Sequence, residues 1–370
     1  MSTGKGFFKI AAIVAAATIG SGMFALPYVI ASAGWLLSIF YFAIFIVLLS
    51  VAHIVYLKTL ASVGEKERLL GLSRKYFGIP GFWIGFIAIV LGLLLSFTAY
   101  LIIGPQFVSL LFPTMPPSIA LALFWCFISA PIFLRNNNVT HLEELGIFCT
   151  SCVIFFIFAS GHPLSALANI PPVDVHYFFL PLGAILFSLA GWTSVESVYD
   201  VAKEIKNNTI VFAAFIAGTA FSAFLYFLFS VGIFGSVPQI TVNVLSGLGH
   251  WPFWKKDIVA IIGLFAVLTA SMPLTRELCN AFEKDLQWRP SYARFTIIGV
   301  PLLIILSGFN NFLMVVSIIG GLFLSTQYLL IISIGSRALA LSRTQRLFLS
   351  MTAAVFIFAA AYSVYSFLFL

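Results

Sequence analysis

Two glycines and a proline stand close together in the stretch GSGMFALP, which begins at Gly20 inside an apolar segment. Because lipid offers no hydrogen bonds, a spanning helix bonds its backbone internally, and Gly20 and Gly22 therefore predict a point where the helix unwinds. The free N–H groups of the half-helix beyond this point would bind a carboxylate. Pro27 fits the first turn of that half-helix, where its missing N–H leaves no bond unmade. The backbone groups predicted to bind the carboxylate belong to Gly20, Ser21, Gly22 and Met23.

A second interruption is predicted in the stretch FSLAGWTSVES, where Gly191 lies among small and hydroxyl residues. The C-terminal end of a half-helix presents carbonyl oxygens and a negative partial charge, which suit an amine. Carbonyls at Phe187, Ser188 and Ala190 are the predicted acceptors, and Trp192 is predicted to close over a bound side chain. The first glycine stretch has an alternative interpretation as a notch in which helices pack closely, and Trp192 has one as part of the core.

Polar side chains inside apolar sequence are candidates for function, because burying them costs free energy. Glu196 follows the second interruption and is predicted to take up and release a proton. Its pairing with Lys203 or with a neighbouring loop is the alternative, in which it stays ionised. Tyr100 lies near the middle of its segment, and its hydroxyl needs a partner, so it is a candidate for the pocket wall. His, Asp and Cys do not cluster at catalytic or metal-ligand spacing, so neither an enzyme nor a metal site is predicted.

The elements that position these residues are apolar helices. Hydrophobic residues make up 61% of the 370-residue chain, charged residues make up 8%, and the mean hydropathy is +1.10. About 25% of residues are charged in soluble domains, so the chain is predicted to be an all-α integral membrane protein in a lipid bilayer. Runs of about 20 apolar residues span a bilayer, and eleven such segments are predicted. They lie at residues 7–33, 35–60, 82–111, 117–134, 143–160, 177–200, 209–235, 257–282, 292–308, 311–335 and 345–369.

Basic residues predict the orientation of these segments. Of the 19 lysines and arginines, all except Lys255 and Lys256 fall on one side if the segments alternate from a cytoplasmic N-terminus. Because basic loops stay in the cytoplasm, the N-terminus is predicted inside and the C-terminus outside the cytoplasmic (inner) membrane. This bias accounts for the net charge of +7, and no nucleic-acid partner is predicted.

Two stretches carry a resemblance to a known family. IGSGMFALPYVIASAGW, residues 19–35, resembles the first-helix signature of the amino-acid/polyamine/organocation superfamily. Its sequence is most similar to the amino-acid permease branches, which include the aromatic and hydroxy-amino-acid permeases. VESVYDVAKEIKNN, residues 195–208, resembles the segment after the sixth-helix break of that superfamily, with Glu196, Lys206 and Asn207 at the matching spacing.

Two positions depart from the family pattern, since Ser194 replaces a frequent glycine and Asn208 a frequent proline. The resemblance implies a single transmembrane domain over residues 1–370 with a LeuT-type 5+5 inverted repeat, in which helices 1 and 6 are discontinuous. It also implies secondary active transport of an amino acid by alternating access, and a third helix, with Tyr100, beside the site. The implied units are residues 7–160 for helices one to five, 177–335 for helices six to ten and 345–369 for a peripheral eleventh helix.

The coupling ion is less clearly indicated. Sodium-coupled relatives form an ion site with paired hydroxyls on helix eight, whereas the matching stretch AVLTASMP has Thr269 and Ser271 without an adjacent pair. A lysine that some proton-coupled relatives carry on helix five is also missing. Proton coupling through Glu196 is therefore expected, with sodium at Thr269 as the alternative and no other cofactor. A sensor with a transporter fold is the second functional alternative, and the oligomeric state stays open.

Overall fold

A computed structural model describes residues 3–64, 68–133, 139–205, 207–242 and 244–369. The described chain is 86% helical and contains no strand. Lys206, which belongs to the resemblance, lies outside the described residues.

Sixteen α-helices run through the described residues, joined by short 3₁₀ and π segments. The α-helices are α1 (Thr3–Thr18), α2 (Leu26–Ala33), α3 (Trp35–Val63), α4 (Leu69–Phe86), α5 (Gly92–Leu111), α6 (Pro117–Phe133), α7 (Val139–Ser160), α8 (Pro163–Ala168), α9 (Leu180–Leu189), α10 (Ser194–Ile205), α11 (Asn208–Phe234), α12 (Phe253–Asn280), α13 (Pro290–Leu306), α14 (Phe312–Ile318), α15 (Ser325–Ala338) and α16 (Arg343–Phe369). The 3₁₀ segments are Ser21–Phe24, Val175–Tyr177 and Val244–His250, and the π segments are Ile87–Leu91, Ala281–Asp285 and Ile319–Leu324.

Six helical stretches in the described chain are long and apolar enough to cross a membrane. Three of them join α-helices through π segments, so that α4 continues into α5, α12 runs on to Asp285 and α14 continues into α15. Apolar helices of 10 to 17 residues come from α6, α7, α9 and α13. Apolar side chains face outward along many of these helices, as expected for a multi-pass membrane protein in lipid.

The first apolar segment is interrupted at Gly20. Helix α1 ends at Thr18, and Gly20 is extended, with φ −152° and ψ −158°. The chain then forms one 3₁₀ turn and enters α2, whose first turn contains Pro27. Because Pro27 has no N–H, its place at the start of a helix leaves no backbone donor unpaired there.

The sixth apolar segment is interrupted at Ala190. Helix α9 ends at Leu189, Ala190 is extended with φ −67° and ψ 121°, and α10 begins at Ser194. Helix α1 packs against α10 and α11, while α12 packs against α5 and α7. Both interruptions therefore lie in the interior of the bundle, where backbone groups without helical partners need other ones.

Candidate functional site

A buried cavity of about 70 Å³ lies between the two interruptions. It is enclosed by residues of both interrupted segments together with side chains from α5, α12 and the π segment before α15. Seven of the predicted site residues line it, namely Gly20, Ser21, Gly22, Tyr100, Phe187, Ala190 and Trp192.

The other three predicted substrate-binding residues, Met23, Ser188 and Gly191, are not among the lining residues. The Ser188 hydroxyl donates to the carbonyl oxygen of Ala184 in its own helix at 2.7 Å. A Cβ added at Gly22 would lie 2.8 Å from the Ser188 Cα, so this glycine allows the two segments to approach closely. Gly22 thus lines the cavity, as predicted, and also allows close helix packing, which was the alternative interpretation.

Tyr226 on α11 forms hydrogen bonds with backbone groups that have no helical partner at the first interruption. Its hydroxyl donates to the carbonyl oxygen of Thr18 at 2.6 Å and accepts from the backbone N–H of Gly20 at 3.1 Å. The side chain is fully buried. Since Gly20 already donates to this hydroxyl, the amides that follow it are the better candidates for a ligand.

Ser21 is the polar side chain of the first interruption that is left unpaired. It is 1% exposed and lines the cavity, and its Oγ has no hydrogen-bond partner in the described part of the chain. Buried polar atoms are nearly always hydrogen-bonded, so an unpaired hydroxyl beside a cavity indicates a ligand position. The Tyr100 hydroxyl lies next to Gly20 and Ser21, where a Cβ added at Gly20 would be 2.6 Å from it, and it donates to the carbonyl oxygen of Ala270 on α12 at 3.4 Å.

The second interruption is hydrogen-bonded to two residues of α15, one of which also contacts α3. Tyr328 accepts a hydrogen bond from the Gly191 backbone N–H at 3.3 Å, and its hydroxyl lies 3.1 Å from His53 Nε2. The indole N–H of Trp192 donates to Gln327 Oε1 at 2.5 Å. Trp192 therefore forms a wall of the cavity with a fixed orientation.

A second cavity of about 320 Å³ adjoins the first and extends towards the ends of α10 and α12. The two cavities share Ala17, Thr193 and Pro273. The larger cavity is lined by the charged side chains of Arg68, Glu196, Asp200, Arg276 and Glu277. This arrangement makes it a polar vestibule that leads from one side of the protein to the central cavity.

An aromatic cluster stands on the other side of the first interruption. Phe24 packs edge-on against Phe107 and Phe229, with ring centroids 5.3 and 5.6 Å away. All three rings are at most 3% exposed. The three rings pack beside the first interruption and are not among the residues that line the central cavity, which meets the vestibule through the residues that the two cavities share.

Glu196 is ion-paired in the vestibule, to a residue that sequence reasoning did not single out. Arg68 Nη1 lies 3.1 Å from Glu196 Oε2 and 3.1 Å from Glu277 Oε2, and the Tyr56 hydroxyl donates to Glu196 Oε1 at 3.4 Å. Lys203, the partner considered from the sequence, instead has its Nζ 4.3 Å from the centroid of the Tyr199 ring. The alternative of pairing with a neighbouring loop is the arrangement found, because Arg68 directly precedes α4.

Thr269 lies beside a cavity of only about 10 Å³. Its hydroxyl is within 3.1 Å of the carbonyl oxygen of Phe265 and 3.0 Å of that of Ala266, to which it donates. Thr150 on α7 faces the same cavity. A cavity of this size holds about one water molecule. Thr269 and Thr150 thus bring two hydroxyls from different helices to one small cavity.

Comparison with solved structures shows that the chain has the fold of known membrane transporters. The structure of MhsT in complex with L-phenylalanine superimposes with a TM-score of 0.66 at 15% identity and covers 96% of this chain and 98% of that one. The manganese transporter of Eremococcus coleocola in complex with an aromatic bis-isothiourea substituted compound gives a TM-score of 0.64 at 12% identity over 97% and 86% of the two chains. Both are LeuT-fold transporters.

Residues 3–249 match the model of the tryptophan/tyrosine permease family, and the chain belongs to this family. A search of curated protein sequences finds no match. The protein is therefore a transporter and not an enzyme.

Proposed function

We propose that this permease carries an aromatic amino acid across the cytoplasmic membrane by alternating access. The observation that carries the proposal is the buried cavity between two interrupted helices, lined by the unpaired hydroxyl of Ser21. The family to which the chain belongs supports tryptophan and tyrosine as the substrate class. The L-phenylalanine bound to MhsT supports a ligand of the same kind on the same fold.

The proposed fold is a LeuT-type 5+5 inverted repeat of eleven spanning segments, with α1–α2 and α9–α10 as the two discontinuous helices. Supporting this, both interruptions border one cavity, and the two interrupted segments are the first and the sixth along the chain, five positions apart. We propose a cytoplasmic N-terminus and an extracytoplasmic C-terminus, on the basis of the basic residues. The vestibule then opens to the cytoplasm.

In the proposed binding mode, the substrate carboxylate accepts hydrogen bonds from the Ser21 hydroxyl and from backbone amides at Ser21 and Gly22. The first N–H groups of a 3₁₀ turn have no partner within the turn, so these amides can donate to a ligand, with the Tyr100 hydroxyl beside the one at Ser21. The substrate amine donates to carbonyl oxygens at Phe187 and Ala190, where α9 ends. The aromatic side chain then contacts Phe187, Tyr100 and Trp192.

Substrate binding requires the cavity to widen. An engineered apolar cavity of about 150 Å³ holds benzene, and the volume between the interruptions is about 70 Å³. The structure therefore corresponds to a contracted state of the site with access from the vestibule. Loading an aromatic ring moves at least one wall of the cavity.

For coupling, we propose that Glu196 takes up the proton. It stands on α10, directly after the second interruption, and shares Arg68 with Glu277. Two carboxylates share one guanidinium, so a proton on one of them leaves a single ion pair between Arg68 and the other. Sodium is the second candidate, supported by the cavity of about 10 Å³ between Thr269 and Thr150.

Ligand binding to the purified protein tests the proposed function. Tryptophan, tyrosine and phenylalanine are expected to raise the apparent melting temperature in a screen of the twenty amino acids, with and without sodium. A ligand at 100 times its Kd stabilises the native state by about 2.7 kcal/mol. Stabilisation by aliphatic or charged amino acids alone would contradict the aromatic substrate.

Replacing Ser21 with alanine tests the carboxylate site. A hydrogen bond to a charged group contributes about 1.5–3 kcal/mol, so Kd for the amino acid is expected to rise at least about tenfold. Because the hydroxyl has no partner in the described chain, the melting temperature without ligand is expected to stay the same. Isothermal titration calorimetry and thermal unfolding measure the two effects.

Ser188→Ala is the matched control, since this hydroxyl bonds within α9 and does not line the cavity. An unchanged Kd in Ser21→Ala, with Ser188→Ala also unchanged, rules out the proposed carboxylate contact.

A further inference from the structure

Trp192 is held by a chain of two buried hydrogen bonds that ends on a different helix. Its indole N–H donates to Gln327 Oε1 at 2.5 Å, and Gln327 Nε2 donates to the carbonyl oxygen of Ala88 at 2.7 Å. Trp192 is 2% exposed and Gln327 is fully buried. Both hydrogen bonds are shielded from water. A buried polar group without a partner costs free energy, and a hydrogen bond that is formed there fixes the orientation of both side chains.

The position of Gln327 follows from two π segments. Ala88 lies in the π segment Ile87–Leu91, and Gln327 comes three residues after the π segment Ile319–Leu324. A π segment breaks the regular i to i+4 pattern of a helix, so a carbonyl there is available to a side chain from elsewhere. Gly92 lets the amide come near, because a Cβ at that position would be 2.8 Å from Gln327 Nε2.

The indole that this amide orients borders the central cavity, whereas Gln327 itself is not among its lining residues. The cavity has less than half the volume that holds a benzene ring, so a ring enters only when a wall moves, and a wall that cannot move limits the size of the ring. A wall residue tethered by a buried hydrogen bond yields less to a large ring than one that is free to rotate.

We propose that Gln327 is a specificity-determining positioning residue, which fixes the Trp192 indole as a rigid wall and so limits the size of the aromatic side chain that binds. It acts through Trp192 and makes no contact with the substrate. The inference rests on the proposed function, because it assumes that an aromatic amino acid occupies the central cavity.

Two changes remove the same hydrogen bond from its two sides. Gln327→Met keeps the approximate volume and removes the acceptor. Incorporation of the benzothiophene analogue of tryptophan at position 192 replaces the indole N–H with sulphur and keeps the ring shape. Thr326→Val is the matched control, because the Thr326 hydroxyl donates to Leu322 within its own helix at 2.8 Å and makes no bond to Trp192.

The measured quantity is the ratio of Kd values for phenylalanine and tryptophan, obtained by calorimetry on the purified full-length protein. Each change is expected to shift the ratio about tenfold in favour of tryptophan, since a loosened wall benefits the larger ring. One methylene group in an apolar pocket already changes discrimination by about tenfold or more. The two changes combined are expected to give no larger shift than either alone, and the control is expected to keep the wild-type ratio.

If the protein with the tryptophan analogue at position 192 has a Kd ratio within twofold of wild type, the proposal is overturned. This outcome decides the proposal even if Gln327→Met does not fold. Fully additive shifts overturn it too, because they show that Gln327 does not act through Trp192. A wild-type protein that binds neither amino acid overturns the proposed function together with this inference. Wild-type binding with unshifted ratios overturns the inference alone.

Discussion

Glu196→Gln is expected to abolish amino-acid uptake driven by an inward proton gradient in proteoliposomes. Glutamine keeps the shape of the side chain and removes the group that titrates. Folding is expected to survive, because Arg68 stays paired with Glu277 at 3.1 Å and no buried charge loses its partner. Exchange of substrate at equal pH on both sides is expected to remain measurable, since it needs no net proton movement.

Asp200→Asn is the matched control for this experiment. Asp200 is on the same helix, one turn further on, and lines the same vestibule, but its carboxylate is outside the ion pairs of Arg68. Uptake by Asp200→Asn is expected to follow the proton gradient as in wild type. Proton-driven uptake at the wild-type rate in Glu196→Gln would exclude Glu196 as the coupling group, and a sodium gradient would then be tested with Thr269→Val.

Tyr226→Phe is expected to destabilise the protein and to weaken substrate binding at the same time. The change removes one hydroxyl that serves both Thr18 O and Gly20 N–H at the first interruption. A buried donor or acceptor without a partner costs about 1–3 kcal/mol, so the two together are expected to cost about 2–6 kcal/mol. The apparent melting temperature is expected to fall by several degrees, and Kd to rise because the adjacent Ser21 and Gly22 amides lose their fixed orientation.

Tyr292→Phe is the control with the same chemical change, since Tyr292 is 64% exposed on α13. It is expected to leave both measurements unchanged. If Tyr226→Phe unfolds at the wild-type temperature and binds with the wild-type Kd, the interrupted backbone does not depend on this hydroxyl.

Sequence reasoning located the apolar segments and both glycine stretches because their signals are local. Helix α5 ends at Leu111, where the third segment was expected to end, and α1 ends two residues before Gly20. Such features follow from hydropathy and from the conformational freedom of glycine, which neighbouring residues reveal. The resemblance to amino-acid permeases and the membrane-spanning character could be predicted for the same reason.

The partners of the site residues were not predicted, because they come from distant parts of the chain. Glu196 meets Arg68 and Tyr56, which are more than 120 residues away, and Gly20 meets Tyr226. Tyr226 is one of twelve tyrosines, and its own neighbourhood gives no sign that it faces an interrupted helix. Gln327 gave a weak signal in the sequence, because it is an uncharged amide in an otherwise apolar segment. A role for such a buried amide can be assigned only when its hydrogen-bond partners are known.

The aromatic cluster beside the first interruption and the ion pair in the vestibule are held by forces that respond differently to the surroundings. The cluster of Phe24, Phe107 and Phe229 is held by apolar burial, which dissolved ions affect little at physiological concentrations and which weakens on cooling. The partly exposed Arg68 and Glu196 pair is electrostatic, and ions that reach the vestibule screen it. Cooling is thus expected to loosen the packing of the aromatic cluster and high ionic strength to weaken the Arg68–Glu196 pair, so temperature and salt concentration act separately on these two regions.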